Sequence, residues 1–334
     1  MREFMKLKLY KWGFPIICWC LSLSVASAQQ PVQYSMYMLN PYHYNSAYAG
    51  LDESLSATGV FRKQWVSFPG SPMSFNFNAH LPLEYLRSGV GIGAEHEIIG
   101  AYANTNLRVS YNYIHDFGDK GKLSGGAAFR WMQKSLDGSL LRAPDGTYEG
   151  GGIISHNDDL IPFNKVTTSA MSFDAGIYYK HPKFEIGISA INITEPTAIL
   201  TTTSLEQIKY VRNFILTGSY RWDINDDMSL HPSFLLKTDF VKFQPELGAI
   251  FKYQDNFFGG LAFRGYSNDT KDAVVILAGM QINKNIMLAY SYDFSISGLR
   301  TFNSGSHEIV LNYNLRKKLG KEIPAKVIYN PRFL

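Results

Sequence analysis

Stretches in which apolar and polar residues alternate recur along most of the chain. Between Ala103 and Tyr113, one face carries alanine, threonine, leucine, valine and two tyrosines, while the other carries three asparagines, an arginine and a serine. The same alternation runs through residues 73–81, 286–294 and 307–317. A period of two with this separation of polarity predicts β-strands that have one apolar and one polar face.

Fourteen segments follow this pattern, and most reach about ten residues, the length that crosses a bilayer when a strand is tilted. They cover residues 55–66, 72–82, 89–99, 103–116, 122–134, 168–180, 183–193, 209–222, 227–238, 243–253, 256–266, 272–282, 285–295 and 306–317. If the N-terminus is periplasmic, the three longest connections, residues 135–167, 194–208 and 296–305, all lie on the outer side. Long outer loops and short periplasmic turns are typical of outer-membrane barrels.

The sequence therefore predicts an all-β fold, a transmembrane outer-membrane antiparallel β-barrel of about 14 strands, over residues 55–317. Residues 29–54 are predicted to form a periplasmic N-terminal segment, and residues 318–334 a periplasmic C-terminal tail. A secreted soluble β-protein is the alternative, although such a protein would not be expected to place its long loops on one side.

Residues 1–28 have the features of a signal peptide. Four basic residues precede an apolar run that ends in an A-x-A cleavage pattern at residues 26–28. Cys18 and Cys20 are the only cysteines, so export would leave a chain without a disulfide. Without the leader, 28 of the 32 basic and 27 of the 28 acidic side chains remain, and this balance gives no reason to expect a nucleic-acid partner.

The sequence offers no motif for catalysis. It lacks the nucleophile-elbow, zinc-protease and phosphate-loop patterns, and the glycines of residues 89–97 fit a strand better than a nucleotide loop. We therefore predict no enzymatic activity and no cofactor. The acidic residues within the loop 135–167 do not have the spacing of a known calcium loop, which favours a solvated loop there.

Charged residues on the polar faces of the strands are predicted to point into the barrel lumen. They are Glu95, Glu97, Arg108, Arg130, Lys237, Asp293, Glu308 and Arg316. One interpretation is an ion path through the barrel. The other, which we favour, is a partly closed interior in which opposite charges on neighbouring strands pair.

The N-terminal part of the chain also resembles a known family. The matching elements are Gln33-Tyr34, Asn40-Pro41, Asn45, Ala47-Tyr48-Ala49-Gly50, Arg62, Gln64-Trp65, Gly70-Ser71-Pro72 and the terminal residues 329–334. In these elements the chain resembles the PorP/SprF family of type IX secretion system membrane proteins from Bacteroidota.

This resemblance implies a non-enzymatic outer-membrane barrel component of the type IX secretion and gliding-motility machinery. The implied partners are secretion-system subunits, outer-membrane lipid and a large secreted adhesin, which some members export or hold at the surface through its C-terminal domain. A passive or substrate-specific outer-membrane channel is the alternative function.

The stretch from residue 29 to residue 50 contains five tyrosines, which is far from the composition of a disordered chain. We expect this stretch either to fold into the barrel mouth as a plug or to dock a periplasmic partner. The residues predicted to serve as plug or docking site, here and elsewhere, are Tyr34, Tyr37, Asn40, Pro41, Asn45, Tyr48, Gly50, Arg62, Trp65, Pro331, Arg332 and Phe333.

Overall fold

The structure is a computed structural model, which describes residues 31–148, 155–158, 161–200, 207–265 and 272–317. Fourteen strands of these described residues close into an antiparallel barrel, and we number them β1 to β14. They are β1 Ser56–Lys63, β2 Met73–Leu83, β3 Ser88–Ile99, β4 Tyr102–Asp116, β5 Lys122–Asp137, β6 Lys165–Lys180, β7 Phe184–Ile191, β8 Asn213–Tyr220, β9 Met228–Thr238, β10 Phe243–Tyr253, β11 Phe257–Arg264, β12 Ala273–Gln281, β13 Ile286–Ser295 and β14 Ser306–Asn314.

The barrel closes because each strand pairs with its neighbours in the sequence and the last strand pairs with the first. The ladder between β1 and β14 runs from Ser56 opposite Asn314 to Lys63 opposite His307. Every strand coincides, apart from a few residues at its ends, with a segment predicted from the alternation. The predicted fold class is therefore confirmed.

Alternation sorts the side chains of each strand between two faces. On β2, Phe75 and Phe77 are 47% and 48% exposed on the outer face, whereas Ser74, Asn76 and Asn78 are buried on the inner face. The outer face therefore matches the apolar interior of a membrane, and the inner face is polar.

Arginine on the outer face should destabilise the barrel. Leu288 of β13 and Leu311 of β14 are cross-strand partners and are exposed on that face. Because arginine at the bilayer midplane costs about 2–4 kcal/mol, we expect Leu288→Arg and Leu311→Arg each to lower the free energy of unfolding in lipid by about that amount. Leu311→Ile is the control, since it keeps the position apolar. Equal stability of the three variants would contradict this assignment of the outer face.

The connections differ in length between the two ends of the barrel. At one end, which we call the short-turn end, they are residues 84–87, 117–121, 181–183, 221–227, 254–256 and 282–285. The opposite end, which we call the long-loop end, has the three longest connections, residues 138–164, 192–212 and 296–305. This sorting by length agrees with the one predicted from the sequence.

The connection between β7 and β8 contains two short strands that the sequence analysis did not predict. Thr197–Ile199 pairs with Gln207–Lys209, and we call this pair the inner hairpin. Its buried residues Ala198 and Ile208 pack against inward-facing side chains of β5 and β6. The inner hairpin therefore covers these two long strands from inside at the long-loop end.

Pro232 lies within β9, although proline cannot donate a hydrogen bond to a ladder. The pairing of β9 with β10 continues through Pro232 without a shift. On the other side, the ladder to β8 ends at the pair Ser219–Ser233 and resumes only at the pair Trp222–Leu230. This interruption accommodates the missing donor.

Several predicted segments lie outside the described residues, among them the signal peptide 1–28 and the tail 318–334. Within the part of the chain that is described, no helix has the length and apolar character needed to cross a membrane.

Candidate functional site: the filled barrel interior

Residues 32–51, which we call the interior segment, lie among the inward-facing side chains of the barrel. The segment forms three short helical turns, Tyr37–Leu39, Pro41–Tyr44 and Ser46–Tyr48. Proline suits the first position of a helical turn, because its fixed φ fits and no backbone donor is needed there. The side chain of Asn45 accepts a hydrogen bond from the N–H of Ala47 at 2.9 Å and caps the last turn.

All five tyrosines of the interior segment are buried, with at most 6% exposure. The hydroxyl of Tyr34 donates to the carboxylate of Glu95 on β3 at 3.0 Å. The hydroxyls of Tyr42 and Ser110, on β4, are 2.7 Å apart. Because a tyrosine ring packs while its hydroxyl keeps a polar partner, a tyrosine-rich segment suits the polar lumen of this barrel.

Two buried arginines and three buried carboxylates form a network around the start of the segment. On β1, Arg62 lies 2.7 Å from Asp293 and 3.0 Å from Glu308. On β11, Arg264 lies 2.9 Å from Glu246 and 3.5 Å from Asp293. All five side chains are at most 1% exposed, so each charge depends on the others for its stabilisation.

Ser35 of the interior segment lies at the centre of this network. Its hydroxyl accepts hydrogen bonds from both arginines, at 2.7 and 2.8 Å, and donates one to Asp293 at 2.7 Å. The backbone N–H groups of Ser35 and Met36 donate to the carboxylate of Glu308 at 2.7 and 2.9 Å. The segment thus completes the hydrogen bonding of the buried charges, and the charges hold the segment.

Side chains of the barrel also pair with backbone groups of the interior segment. Arg108 donates to the carbonyl groups of Tyr42 and His43 at 3.0 and 2.8 Å. Asn112 donates to the carbonyl groups of Ala47 and Ala49 at 3.0 and 2.9 Å. An irregular segment has carbonyl groups that no ladder satisfies, and buried ones need another partner. The inward-facing polar residues of β4 provide it.

Glycines on β3 allow the interior segment to approach the barrel wall. A Cβ atom at Gly89 would lie 2.1 Å from the carbonyl oxygen of Ala49. A Cβ atom at Gly91 would lie 2.5 Å from the hydroxyl of Tyr42. Both positions therefore require glycine for the segment to lie where it does.

Gly89→Ala should displace the end of the interior segment. The added methyl group overlaps backbone atoms, so we expect the free energy of unfolding to fall by about 1–3 kcal/mol. Gly59→Ala is the matched control, because a Cβ atom at Gly59 of β1 has its nearest neighbour 4.0 Å away. Denaturant unfolding of both variants in lipid measures the difference. If both variants were equally stable, the close packing at Gly89 would be contradicted.

The interior segment is also tied down where it leads into β1. Asp52 lies 3.1 Å from Lys180 and 3.6 Å from the Nε2 atom of His80, and accepts a hydrogen bond from the hydroxyl of Tyr48 at 2.7 Å. Burial raises the pKa of the Asp52 carboxyl, but Lys180 and His80 outweigh burial and lower this pKa to about 2. Asp52 is therefore ionised at neutral pH and fixes this part of the chain.

Most of the predicted lumen charges lie in or beside the interior. Those that are buried there are Glu95, Arg108, Lys237, Asp293 and Glu308. Arg130 pairs with Asp174 at 2.5 Å, and Glu97 accepts a hydrogen bond from Asn104 at 3.2 Å. The prediction for Arg316 is wrong, because β14 ends before this residue and its side chain is exposed.

The predicted plug or docking residues fall into several groups. Those of the interior segment are Tyr34, Tyr37, Asn40, Pro41, Asn45, Tyr48 and Gly50. Arg62 faces the segment from β1, as described above. Trp65 lies apart from them, in the connection between β1 and β2 at the long-loop end. Pro331, Arg332 and Phe333 lie outside the described residues.

Several residues of the interior were not predicted as site residues from the sequence, among them Ser35, Asp174, Glu246 and Arg264. Period two would have identified three of them, since Asp174, Glu246 and Arg264 lie on the polar faces of predicted strands. No local pattern singles out Ser35, whose partners come from four different strands.

The described residues contain no group of three histidine, cysteine or acidic side chains that could hold a metal ion. Two acidic residues of the long loop, Glu149 and Asp159, lie outside the described part, so the expectation of a loop without calcium is not tested. The chemistry of the described interior is ion pairing and hydrogen bonding.

Comparison with known proteins identifies a matching family and several solved barrel structures that this chain resembles. The family model for "Type IX secretion system membrane protein PorP/SprF" matches residues 26–313. No curated protein matches the chain. The toluene transporter TodX of Pseudomonas putida is 10% identical, with 87% of this chain and 96% of TodX covered and a TM-score of 0.46. The CymD monoaromatic hydrocarbon channel is 14% identical, with 89% and 95% covered and a TM-score of 0.45. Omp33, an outer membrane protein of Acinetobacter baumannii, is 5% identical, with 78% and 97% covered and a TM-score of 0.45.

Proposed function

The chain belongs to the PorP/SprF family of type IX secretion system membrane proteins. We propose that it binds partner proteins and has neither enzymatic activity nor channel activity for solutes. The chain is an outer-membrane β-barrel of this secretion system, and membership of a multi-protein system implies partner subunits. The proposal concerns what the barrel does for those partners.

The filled interior is the observation that carries this proposal. A passive channel needs a continuous water-filled path through the barrel. In this barrel the interior segment occupies the lumen, and buried ion pairs and hydrogen bonds hold it there. A cavity of about 350 Å³ remains between the segment and the wall near the short-turn end, beside Tyr48, His80 and His231. The segment still obstructs the lumen, and a barrel obstructed in this way is suited to presenting contact surfaces at its two ends.

We place an exported protein at the outer end, such as a large adhesin that the barrel helps to export or holds at the surface through the adhesin's C-terminal domain. In the orientation predicted from the sequence, the outer end is the long-loop end. Its long connections offer the larger surface for such a partner. The secretion subunits would contact the periplasmic, short-turn end.

Co-purification from the native outer membrane tests this proposal. The tagged protein is extracted in mild detergent, and the proteins that accompany it are identified by mass spectrometry. We expect secretion-system subunits and a large exported protein, which should be absent when an unrelated outer-membrane barrel with the same tag is purified in parallel. A barrel that purifies alone would contradict the proposal and favour a channel.

A further inference from the structure

Strand β6 has an edge at the long-loop end that no described residue pairs with. It pairs with β5 along its whole length, but it pairs with β7 only from Ala175 to Lys180. On the β7 side of residues 165–171, no other part of the described chain forms a ladder or a backbone hydrogen bond. A strand edge with free N–H and C=O groups is a template on which another strand can pair.

The last backbone hydrogen bond on the β7 side of β6 shows which backbone groups face the edge. The carbonyl group of Phe173 accepts a hydrogen bond from the N–H of Ile193 at 2.9 Å, so odd-numbered residues of β6 direct their backbone groups away from β5. The direction alternates from one residue to the next along a strand. Thr167, Ser169 and Met171 therefore present their N–H and C=O groups to the open edge.

The two strands of the inner hairpin lie close to this edge but do not pair with it. Its two strands pair with each other and with no barrel strand. Ala198 packs beside Ala170, and Ile208 packs beside Val166, on the inner face of β6. The two hairpin strands thus support the end of β6 from inside, while the edge itself has no partner in the described part of the chain.

The outer face beside the edge changes from apolar to polar toward the long-loop end. Phe173 and Met171 are 53% and 60% exposed, and the next exposed side chains on this face are Ser169, Thr167 and Lys165. Exposed apolar side chains suit lipid, and polar ones suit water. The edge therefore begins near the membrane surface and extends into water, where a soluble polypeptide can reach it.

We propose that the edge of β6 at residues 165–171 is a docking site for an extended segment of an exported protein. The incoming segment continues the line of β7 and pairs antiparallel to β6, so that main-chain hydrogen bonds provide most of the affinity. This inference rests on the proposed function, which names an exported protein as the outer partner.

A second copy of this chain does not fit the same edge. Two copies in one membrane have the same orientation across the bilayer, so their β6 strands run in the same direction. Every ladder of this barrel is antiparallel, and a parallel contact between two copies would not continue the line of β7.

Hydrogen exchange in the isolated protein tests whether the edge is free. The amides of Thr167, Ser169 and Met171 should exchange fast, while those of Thr168 and Ala170, which point to β5, should be protected. Protection of all five amides in the isolated protein would mean that the chain itself covers the edge, and this result would overturn the inference.

A proline at the edge tests the docking itself. Ser169→Pro removes one N–H group that points to the edge and leaves the ladder to β5 intact, as proline on edge strands usually does. We expect about a tenfold loss of the co-purified exported protein, which corresponds to about 1.4 kcal/mol, and no loss of the secretion subunits. Ser169→Ala is the matched control and should capture as much exported protein as the wild type.

The possible outcomes separate the two proposals. Undiminished capture by folded Ser169→Pro would overturn the docking site and leave the proposed function standing. Failure of the wild type to capture any exported protein would overturn both. If the proline variant does not fold, a photo-crosslinking residue at Thr167 replaces it, and the absence of a crosslink to the captured protein would overturn the docking site.

Discussion

Replacing Arg62 with methionine is expected to lower the free energy of unfolding of the barrel by about 3–5 kcal/mol, the usual effect of removing one partner from a buried ion pair. The guanidinium of Arg62 lies 2.7 Å from the carboxylate of Asp293 and 3.0 Å from that of Glu308, and both carboxylates are no more than 1% exposed. Each of them would lose this cation at a site withdrawn from water. Methionine fills a similar volume, so a cavity would account for little of the loss.

Arg221→Met is the matched control for this loss. Arg221 also pairs with two carboxylates, Asp223 and Asp255, but all three side chains are at least 43% exposed. An exposed pair of this kind contributes at most about 1 kcal/mol. Denaturant unfolding in lipid vesicles measures both variants, and equal losses would contradict the view that the Arg62 network is withdrawn from water.

Adding Asp293→Asn and Glu308→Gln to Arg62→Met should restore part of the stability, since the uncompensated charges are then gone.

Deleting residues 32–50 is expected to convert the closed barrel into a water-filled pore. The strands remain paired with each other, and Arg62 keeps both of its carboxylates after the deletion. The exposed inner face, which carries serine, asparagine and histidine on β2, is polar enough to be hydrated. The barrel should therefore persist at reduced stability, with a lumen that admits small solutes.

Swelling of liposomes that contain the protein measures this change. The deletion variant should admit a small sugar, whereas the wild type should not. Ser35→Ala is the matched control, because it removes one hydroxyl from the network but keeps the backbone N–H groups of Ser35 and Met36 that bind Glu308. A deletion variant as impermeable as the wild type, once its barrel is shown to be folded, would contradict the role of the interior segment as the barrier.

The strands could be predicted from the sequence because their signal is local and repeated. In residues 103–113, for example, each residue's face follows from its position in the alternation, and the structure places Val109 and Tyr111 outside and Ser110 and Asn112 inside. Only the ends were uncertain, because they depend on the partner strand. The same reason applies to Arg316, because the alternation continues to this residue although the strand ends at Asn314.

The position of the interior segment could not be predicted from local sequence. Its five tyrosines marked it as unusual, but a plug and a docking segment have the same composition. The contacts that decide its position join residues far apart, as in the bond from Ser35 to Glu308. Only the closure of β1 on β14 brings these residues together.

The inner hairpin and the free edge of β6 were missed for a related reason. The two hairpin strands have three residues each, which is too short for an alternating pattern to be recognised. The edge lacks a partner among the described residues because β7 is 8 residues long and β6 is 16. The sequence shows the length of each strand approximately, but the register between them is a property of the folded barrel.

Electrical recording from the intact protein in a planar lipid bilayer is the measurement that decides between a closed barrel and a channel. The variant that lacks residues 32–50 serves as the positive control for insertion. A barrel filled by its interior segment should insert without producing steady current steps, while the variant should produce them. A wild-type protein that conducts as steadily as the variant would contradict the closed interior, and the proposal that this barrel works by holding its partners would lose its main support.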